Sequence, residues 1–184
     1  MNQEQMAAYL DSTLLKAVNT PEEIQDLCQE AKQYGFAAVC VNPTYVALAA
    51  SLLEKSAVEV CTVVGFPLGA NASEIKLAET HQALREGATE IDMVIAVGRL
   101  KAGDWAFVER EIGLLAEACH QQDALLKVIL ENCYLTNEEI AQACKICERA
   151  GADYVKTSTG FGSGGAEIAQ VALMRQSVSP NIGV

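Results

Sequence analysis

Gly87-Ala88-Thr89-Glu90-Ile91-Asp92-Met93-Val94-Ile95 reads as a strand entered from a helix, with a charge at its centre. Residues 73–86 have helical character, Gly87 caps them, and a β-rich run extends over 90–97. The same joint recurs at Gly35-Phe36-Ala37 and Gly151-Ala152-Asp153, a capping glycine followed closely by β-branched residues. Outward from these joints the chain alternates. Strands are expected at 37–41, 58–64, 125–130 and 152–158, and 182–184 reads as a strand just beginning. Helices are expected at 44–55, 137–150 and 166–176, with another starting at Thr20-Pro21-Glu22-Glu23 and another capped by Asp104. The helix starting at Thr20 carries the stripe Ile24, Leu27, Cys28, Ala31 and Tyr34; the Asp104 helix carries Val108, Ile112, Leu115, Ala116 and Cys119. Regular alternation of helices with apolar strands predicts a parallel sheet wrapped by helices. No G-x-G-x-x-G follows the first strand, which counts against a dinucleotide-binding fold.

Composition narrows the function classes. The 184 residues suit one domain, with 51% hydrophobic and 20% charged residues. Disordered and low-complexity chains are excluded. A net charge of −11 disfavours non-specific binding to nucleic acid or to an anionic membrane. No apolar run reaches the roughly 18 residues of a membrane span, and Met1 to Leu10 shows no signal-peptide pattern. The seven cysteines are odd in number and scattered, so reduced thiols in a cytoplasmic protein are expected. Cys144 and Cys147 form a C-x-x-C, but they follow the Thr136/Glu139 capping box on the stripe with Ile140 and Ala143. Core packing is the expectation there, and helix-surface positions for His81 and His120.

Buried parallel strands should be almost wholly apolar, because an unpaired buried charge is expensive. Asp92, Lys127 and Lys156 break that rule on separate strands, and Asp11 lies in the short apolar segment from Leu10 to Leu15. A structural ion-pair network is one reading. In a closed barrel, however, inward side chains near the C-terminal strand ends converge on a pocket. A lysine beside another cation in a semi-apolar site has a lowered pKa and becomes a nucleophilic amine, and a carboxylate can then move protons. Two lysines and an aspartate thus make a candidate Schiff-base site.

At these residues the sequence resembles the deoxyribose-phosphate aldolase family of the bacterial type. The matching segments are Leu10-Asp11-Ser12-Thr13-Leu14-Leu15, Val39-Cys40-Val41-Asn42-Pro43, Val64-Gly65-Phe66-Pro67-Leu68-Gly69, Glu90-Ile91-Asp92-Met93-Val94, Leu126-Lys127-Val128-Ile129-Leu130-Glu131 and Gly151-Ala152-Asp153-Tyr154-Val155-Lys156-Thr157-Ser158-Thr159-Gly160. The resemblance implies a (β/α)8 TIM barrel. It also implies a class I aldolase (a lyase) that reversibly cleaves 2-deoxyribose 5-phosphate to acetaldehyde and glyceraldehyde 3-phosphate. Lys156 matches the Schiff-base lysine and Asp92 the acid that relays protons through water. Thr13, Cys40, Lys127 and Thr159 match pocket-lining positions, Gly160 would offer a backbone N–H to phosphate, and Asp11 is a supporting residue. No metal and no organic cofactor are implied, and a homodimer is allowed.

Many relatives carry His where Ser12 stands. In the family, the segment matching Ile182-Gly183-Val184 is followed by a second catalytic lysine, a Gly-Gly turn and an eighth strand with a phosphate loop. A (β/α)8 barrel usually takes roughly 250 residues, so residues 1–184 are expected to form one barrel domain that stops as its seventh strand begins. Losing an acid or base typically costs about 10²–10⁴-fold, so impaired activity is expected. Competing readings are a fragment of this fold without turnover and another barrel lyase or isomerase acting on sugar phosphates.

Overall fold

The computed structural model describes residues 2–184. In chain order the elements are α1 (Gln3–Ala7), β1 (Asp11–Leu14), α2 (Pro21–Tyr34), β2 (Ala38–Val41), α3 (Val46–Leu53), β3 (Glu59–Val64), α4 (Ser73–Arg85) and β4 (Glu90–Val94). They continue with α5 (Val97–Lys101), α6 (Trp105–His120), β5 (Leu125–Ile129), α7 (Asn137–Arg149), β6 (Tyr154–Lys156) and α8 (Ile168–Ser177). The strands form one six-stranded parallel sheet in sequential order.

The helix boundaries follow from local chemistry. Thr20 accepts from the Glu23 N–H while Glu23 accepts from the Thr20 N–H, and Thr136 with Glu139 repeats the arrangement. Asp104 caps α6 through the Phe107 N–H. Gly35 ends α2 at φ 68°, a left-handed conformation that glycine adopts without steric cost. The stripes of α2 and α6 face inward as expected, except that Tyr34 is half exposed and stacks on Phe36 at 5.9 Å. Tyr34 sits ten residues beyond Ile24 in the last turn, where the helical repeat has carried it off the buried face.

In a flat sheet β1 and β5 would lie about 19 Å apart, four strand spacings of about 4.8 Å. Yet Lys127 Nζ on β5 reaches Asp11 Oδ2 on β1 at 2.8 Å. The sheet is therefore curled into a half-barrel, with β1 and β5 facing each other across its interior. Its outer face, including Val39, Val41, Ile91, Met93, Leu126 and Val128, joins the helices in the main core. The inner face carries a separate small cluster, Ala38, Cys40, Cys61 and Val63. Period-2 alternation sorts each strand between these environments. That is the TIM-barrel fold class, built here from six strands.

The strand expected over 90–97 ends at Val94. Ile95 N–H still bonds the Ile129 carbonyl at 3.1 Å, but the Val97 N–H folds back onto the Ile95 carbonyl at 2.9 Å and opens α5. The strand expected over 152–158 is confined to 154–156, since beyond it the chain bends to the loop before α8. Residues 182–184 do begin to pair: Gly183 makes a parallel bridge to Tyr154. The short helix α1, held by an Asn2/Gln5 capping box, precedes β1. Cys144 and Cys147 are buried in the core, and His81 and His120 are exposed on helices.

Candidate active site

β4, β5 and β6 bring Asp92, Lys127 and Lys156, respectively, to the inner face. The register pairs Asp92 with Lys127 and Ile129 with Lys156, so the three side chains converge near the C-terminal ends of adjacent strands. Asp92 is fully buried. Its Oδ2 accepts a hydrogen bond from Lys156 Nζ. Its Oδ1 has no hydrogen-bond partner and lies 3.5 Å from Lys127 Nζ, an ion contact too long to count as a hydrogen bond.

The lysines differ in their surroundings. Lys127 is nearly buried, bonded to Asp11 Oδ2 at 2.8 Å and to Glu90, with Cys61 Sγ at 3.8 Å. Burial opposes its charge, but the Cys61 sulfur and the Asp92, Glu90 and Asp11 carboxylates outweigh burial and hold the ammonium far above the ordinary lysine range. Lys156 is 36% exposed and pairs with Asp92 alone. Here too burial works against the charge, and Asp92 reverses the balance, so the Lys156 pKa is raised. Of the two amines, only Lys156 is open to a reactant. Burial pushes the Glu90 carboxyl up, with Lys127 opposing and Asp11 and Asp92 adding to the rise.

A cleft of about 340 Å³ is lined by Thr13, Phe66, Asp92, Lys156, Thr159 and Gly160 among others. A second cavity of about 410 Å³ holds Asp11, Glu90, Lys127 and Lys156, placing the Lys156 side chain between the two. Larger hollows of about 680 and 740 Å³ contain none of these strand-borne charges. Phe66 and Phe161 meet edge to face at 5.3 Å beside the cleft. Thr13 is exposed on β1, its hydroxyl donating to the Asp11 carbonyl at 3.0 Å. Gly160 has φ 81° and is exposed in the glycine-rich loop after β6. Cys40 is not on the wall: it is buried beneath the cleft beside Cys61.

Cys40, Cys61 and Asp92 place their sulfur and oxygen atoms within 4.8 Å of one another. The donor set does not suit a metal ion. Both lysines already engage Asp92, and the hydrogen bond with Cys40, followed by burial, drives the Cys61 thiol well above its ordinary pKa.

Some residues of this constellation go unread in the sequence. Glu90 lies two positions before Asp92, and period 2 puts both on the inner face. Glu131 lies four positions after Lys127 with the same parity, and its carboxylate bonds Thr159. The available signal is parity, within β4 for Glu90 and carried past the end of β5 for Glu131.

A curled parallel sheet with convergent charges on its inner face is the architecture of a barrel enzyme. Residues 4–180 match the model of the DeoC/LacD family aldolases. The chain is 58% identical over 179 residues to the deoxyribose-phosphate aldolase of Geobacillus sp. (strain WCH70), covering 97% of this chain and 80% of that protein. It is 51% identical over 184 residues to the deoxyribose-phosphate aldolase of Clostridium perfringens (strain ATCC 13124), covering 100% of this chain and 82% of that one. The tetrameric deoxyribose phosphate aldolase from Aeropyrum pernix superposes with a TM-score of 0.91 at 35% identity, covering 99% of this chain and 76% of that one. The chain belongs to the DeoC/LacD aldolase family and is a lyase. Among the described residues no helix is long and apolar enough to cross a membrane.

Proposed function

We propose that this chain is a class I aldolase of the single-barrel-domain kind, acting on 2-deoxy-D-ribose 5-phosphate. The observation that carries the reading is the Lys156–Asp92 pair: a cleft-facing amine bonded to a buried carboxylate at the C-terminal end of the barrel strands. The names of the relatives supply the substrate.

In the cleavage direction, the Lys156 amine adds to the C1 aldehyde of the open-chain sugar and water leaves, giving a protonated imine. Asp92, through a water molecule, takes the proton from the C3 hydroxyl. The C2–C3 bond breaks, C3 becomes the aldehyde of D-glyceraldehyde 3-phosphate, and the bonding pair moves into the imine to form an enamine. Protonation at C2 and hydrolysis release acetaldehyde and restore the amine. Lys127, fixed by Asp11 and Glu90, sets its ammonium 3.5 Å from Asp92 Oδ1. Thr159 and Gly160 border the cleft and receive the phosphate, while Thr13 faces them from β1. Cys40 acts from beneath, filling the floor. The reaction needs no cofactor and no metal. All seven cysteines are free and six are buried, which suits the reducing cytoplasm.

The same geometry favours an impaired variant of this reading. Every charged group bonded to Lys127 or Lys156 is a carboxylate, so Lys156 is held as an ammonium and forms imine slowly near neutral pH. Acetaldehyde with borohydride tests both. A stable adduct on Lys156 that forms faster at alkaline pH supports imine chemistry in this chain. Its absence across the pH range removes the aldolase reading.

A further inference from the structure

Glu131 is an acid that the described reaction does not use. Among the described residues the other buried carboxylates, Glu90, Asp92 and Glu111, each pair with a lysine. Glu131 is 2% exposed and meets no cation. It also adopts φ 56°, the left-handed region that a side chain disfavours. An acid that is strained and buried without a cationic partner is expensive to keep. What it touches shows where that cost is returned.

Glu131 stands just beyond β5, where the ladder to the next strand continues. Leu130 N–H donates to the Lys156 carbonyl at 3.0 Å, and Asn132 N–H to the Thr157 carbonyl at 2.9 Å. Both Glu131 oxygens accept the Thr159 N–H at 3.3 Å, and Oε2 also accepts the Thr159 hydroxyl. The Thr159 oxygen then accepts the Phe161 N–H at 3.0 Å. Further along, the loop presses onto the same support. A Cβ on Gly162 would fall 2.8 Å from Cys133 Sγ and 3.1 Å from the Glu131 carboxyl carbon. The amides of Thr159 and Phe161 are thus both taken, by the Glu131 carboxylate and by the Thr159 oxygen. Gly160 between them has φ 81°, lines the cleft, and among the described residues gives its N–H to no protein acceptor.

We propose that Glu131 is a positioning residue that acts through Thr159 to present the Gly160 amide to the phosphate of the substrate. It touches no substrate atom. Its carboxylate gathers the donors on its own side of the turn, so that the amide between them faces the cleft. The inference rests on the aldolase reading for the identity of the phosphate ester, and on the loop geometry for everything else.

The test is a titration of the ¹⁵N-labelled chain with inorganic phosphate, followed by NMR. In the unsubstituted chain, phosphate should shift the Gly160 amide and its neighbours saturably. Glu131→Ala should weaken binding at least tenfold, and Glu131→Gln, which keeps one acceptor oxygen for the Thr159 N–H, should stay within about threefold. Glu131→Gly removes the carboxylate and also relieves the left-handed strain, so it should melt higher than Glu131→Ala yet bind phosphate as poorly. In a Thr159→Val background, Glu131→Ala should add less than twofold. Unshifted loop amides in the unsubstituted chain overturn the proposal. So does phosphate affinity within twofold in both Glu131→Ala and Glu131→Gly. Acetaldehyde trapping on Lys156 in the unsubstituted chain is read separately: its failure would count against the aldolase reading and leave the loop result standing.

Discussion

Substituting Lys76 by methionine should destabilise the fold more than most single changes. Lys76 lies on α4 and is fully buried. Its Nζ donates to the Val94 carbonyl at 2.8 Å and to Glu111 Oε2 at 2.9 Å, while Ser73 Oγ donates to Glu111 Oε1 at 3.0 Å. Burial pulls the Lys76 amine below the ordinary lysine range, and Glu111 offsets part of that. The Lys76 stem also packs under Gly65, where a Cβ would come within 2.8 Å of Lys76 Cε. Methionine preserves most of the volume but leaves Glu111 buried with only a hydroxyl and orphans the Val94 carbonyl, two residues from Asp92. Breaking one side of a buried ion pair costs about 3–5 kcal/mol. For a chain of this size that lowers the melting temperature by roughly 6–20 °C, at about 2–4 °C per kcal/mol. The double variant Lys76→Met/Glu111→Leu removes both charges and should recover most of the loss, because an apolar replacement of a buried pair is often near neutral. Urea unfolding followed by circular dichroism measures the parent, Lys76→Met, Glu111→Leu and the double variant. A Lys76→Met loss below about 1 kcal/mol, or a double variant that loses the sum of the singles, would mean that the buried pair is not coupled in the way its contacts indicate.

Other outcomes follow from the same geometry. Because Asp92 holds the Lys156 pKa up, Asp92→Asn should lower the pH midpoint for reductive methylation of Lys156, read by mass spectrometry, while cutting turnover about 10²–10⁴-fold. The raised pKa also makes the Lys156–Asp92 pair a stabilising contact below about pH 10.4, the unfolded lysine value, that is lost as pH rises through the higher folded value. Unfolding free energy should accordingly decline from about pH 10.4 upward in the parent chain, and less steeply in Asp92→Asn. With native thiols at pH 8, Cys133 should react first, since the other cysteines are buried and burial lifts Cys119 and Cys144 to about 12. Fast labelling of several cysteines would contradict the packing. Gly69→Ala should fail to fold normally: φ is 65° there and the new Cβ would sit 1.9 Å from the Ile95 carbonyl oxygen. Unchanged thermal unfolding of that variant would show the turn after β3 to be looser than described.

The features legible in the sequence were those fixed by local rules. Thr20 with Glu23 and Thr136 with Glu139 cap helices wherever they occur before an apolar stripe, and Gly35 ends α2 because its φ excludes most side chains. Asp92, Lys127 and Lys156 stood out because charge is costly in a doubly covered strand, and the fold brings them together. Lys76 and Glu111 gave no such signal. On a helix, lysine and glutamate ordinarily face water, and only the packing of α4 against α6 buries this pair. Glu131 was hidden for a related reason: its importance lies in a turn 28 residues away. The end of β4 was missed because Ile95, Ala96 and Val97 continue the apolar run while the backbone turns away. That Thr13 is exposed and Cys40 buried depends on depth within the barrel, which strand periodicity does not encode.

In the proposed reaction Lys156 is the amine that meets the carbonyl. Treating the folded chain with acetaldehyde and borohydride, then mapping ethylated lysines by peptide mass spectrometry across pH, tests it directly. Ethylation should fall preferentially on Lys156 and rise toward alkaline pH, with Lys127 unmodified while its carboxylates hold it. Labelling spread evenly over exposed lysines, or appearing at Lys127 ahead of Lys156, would contradict it.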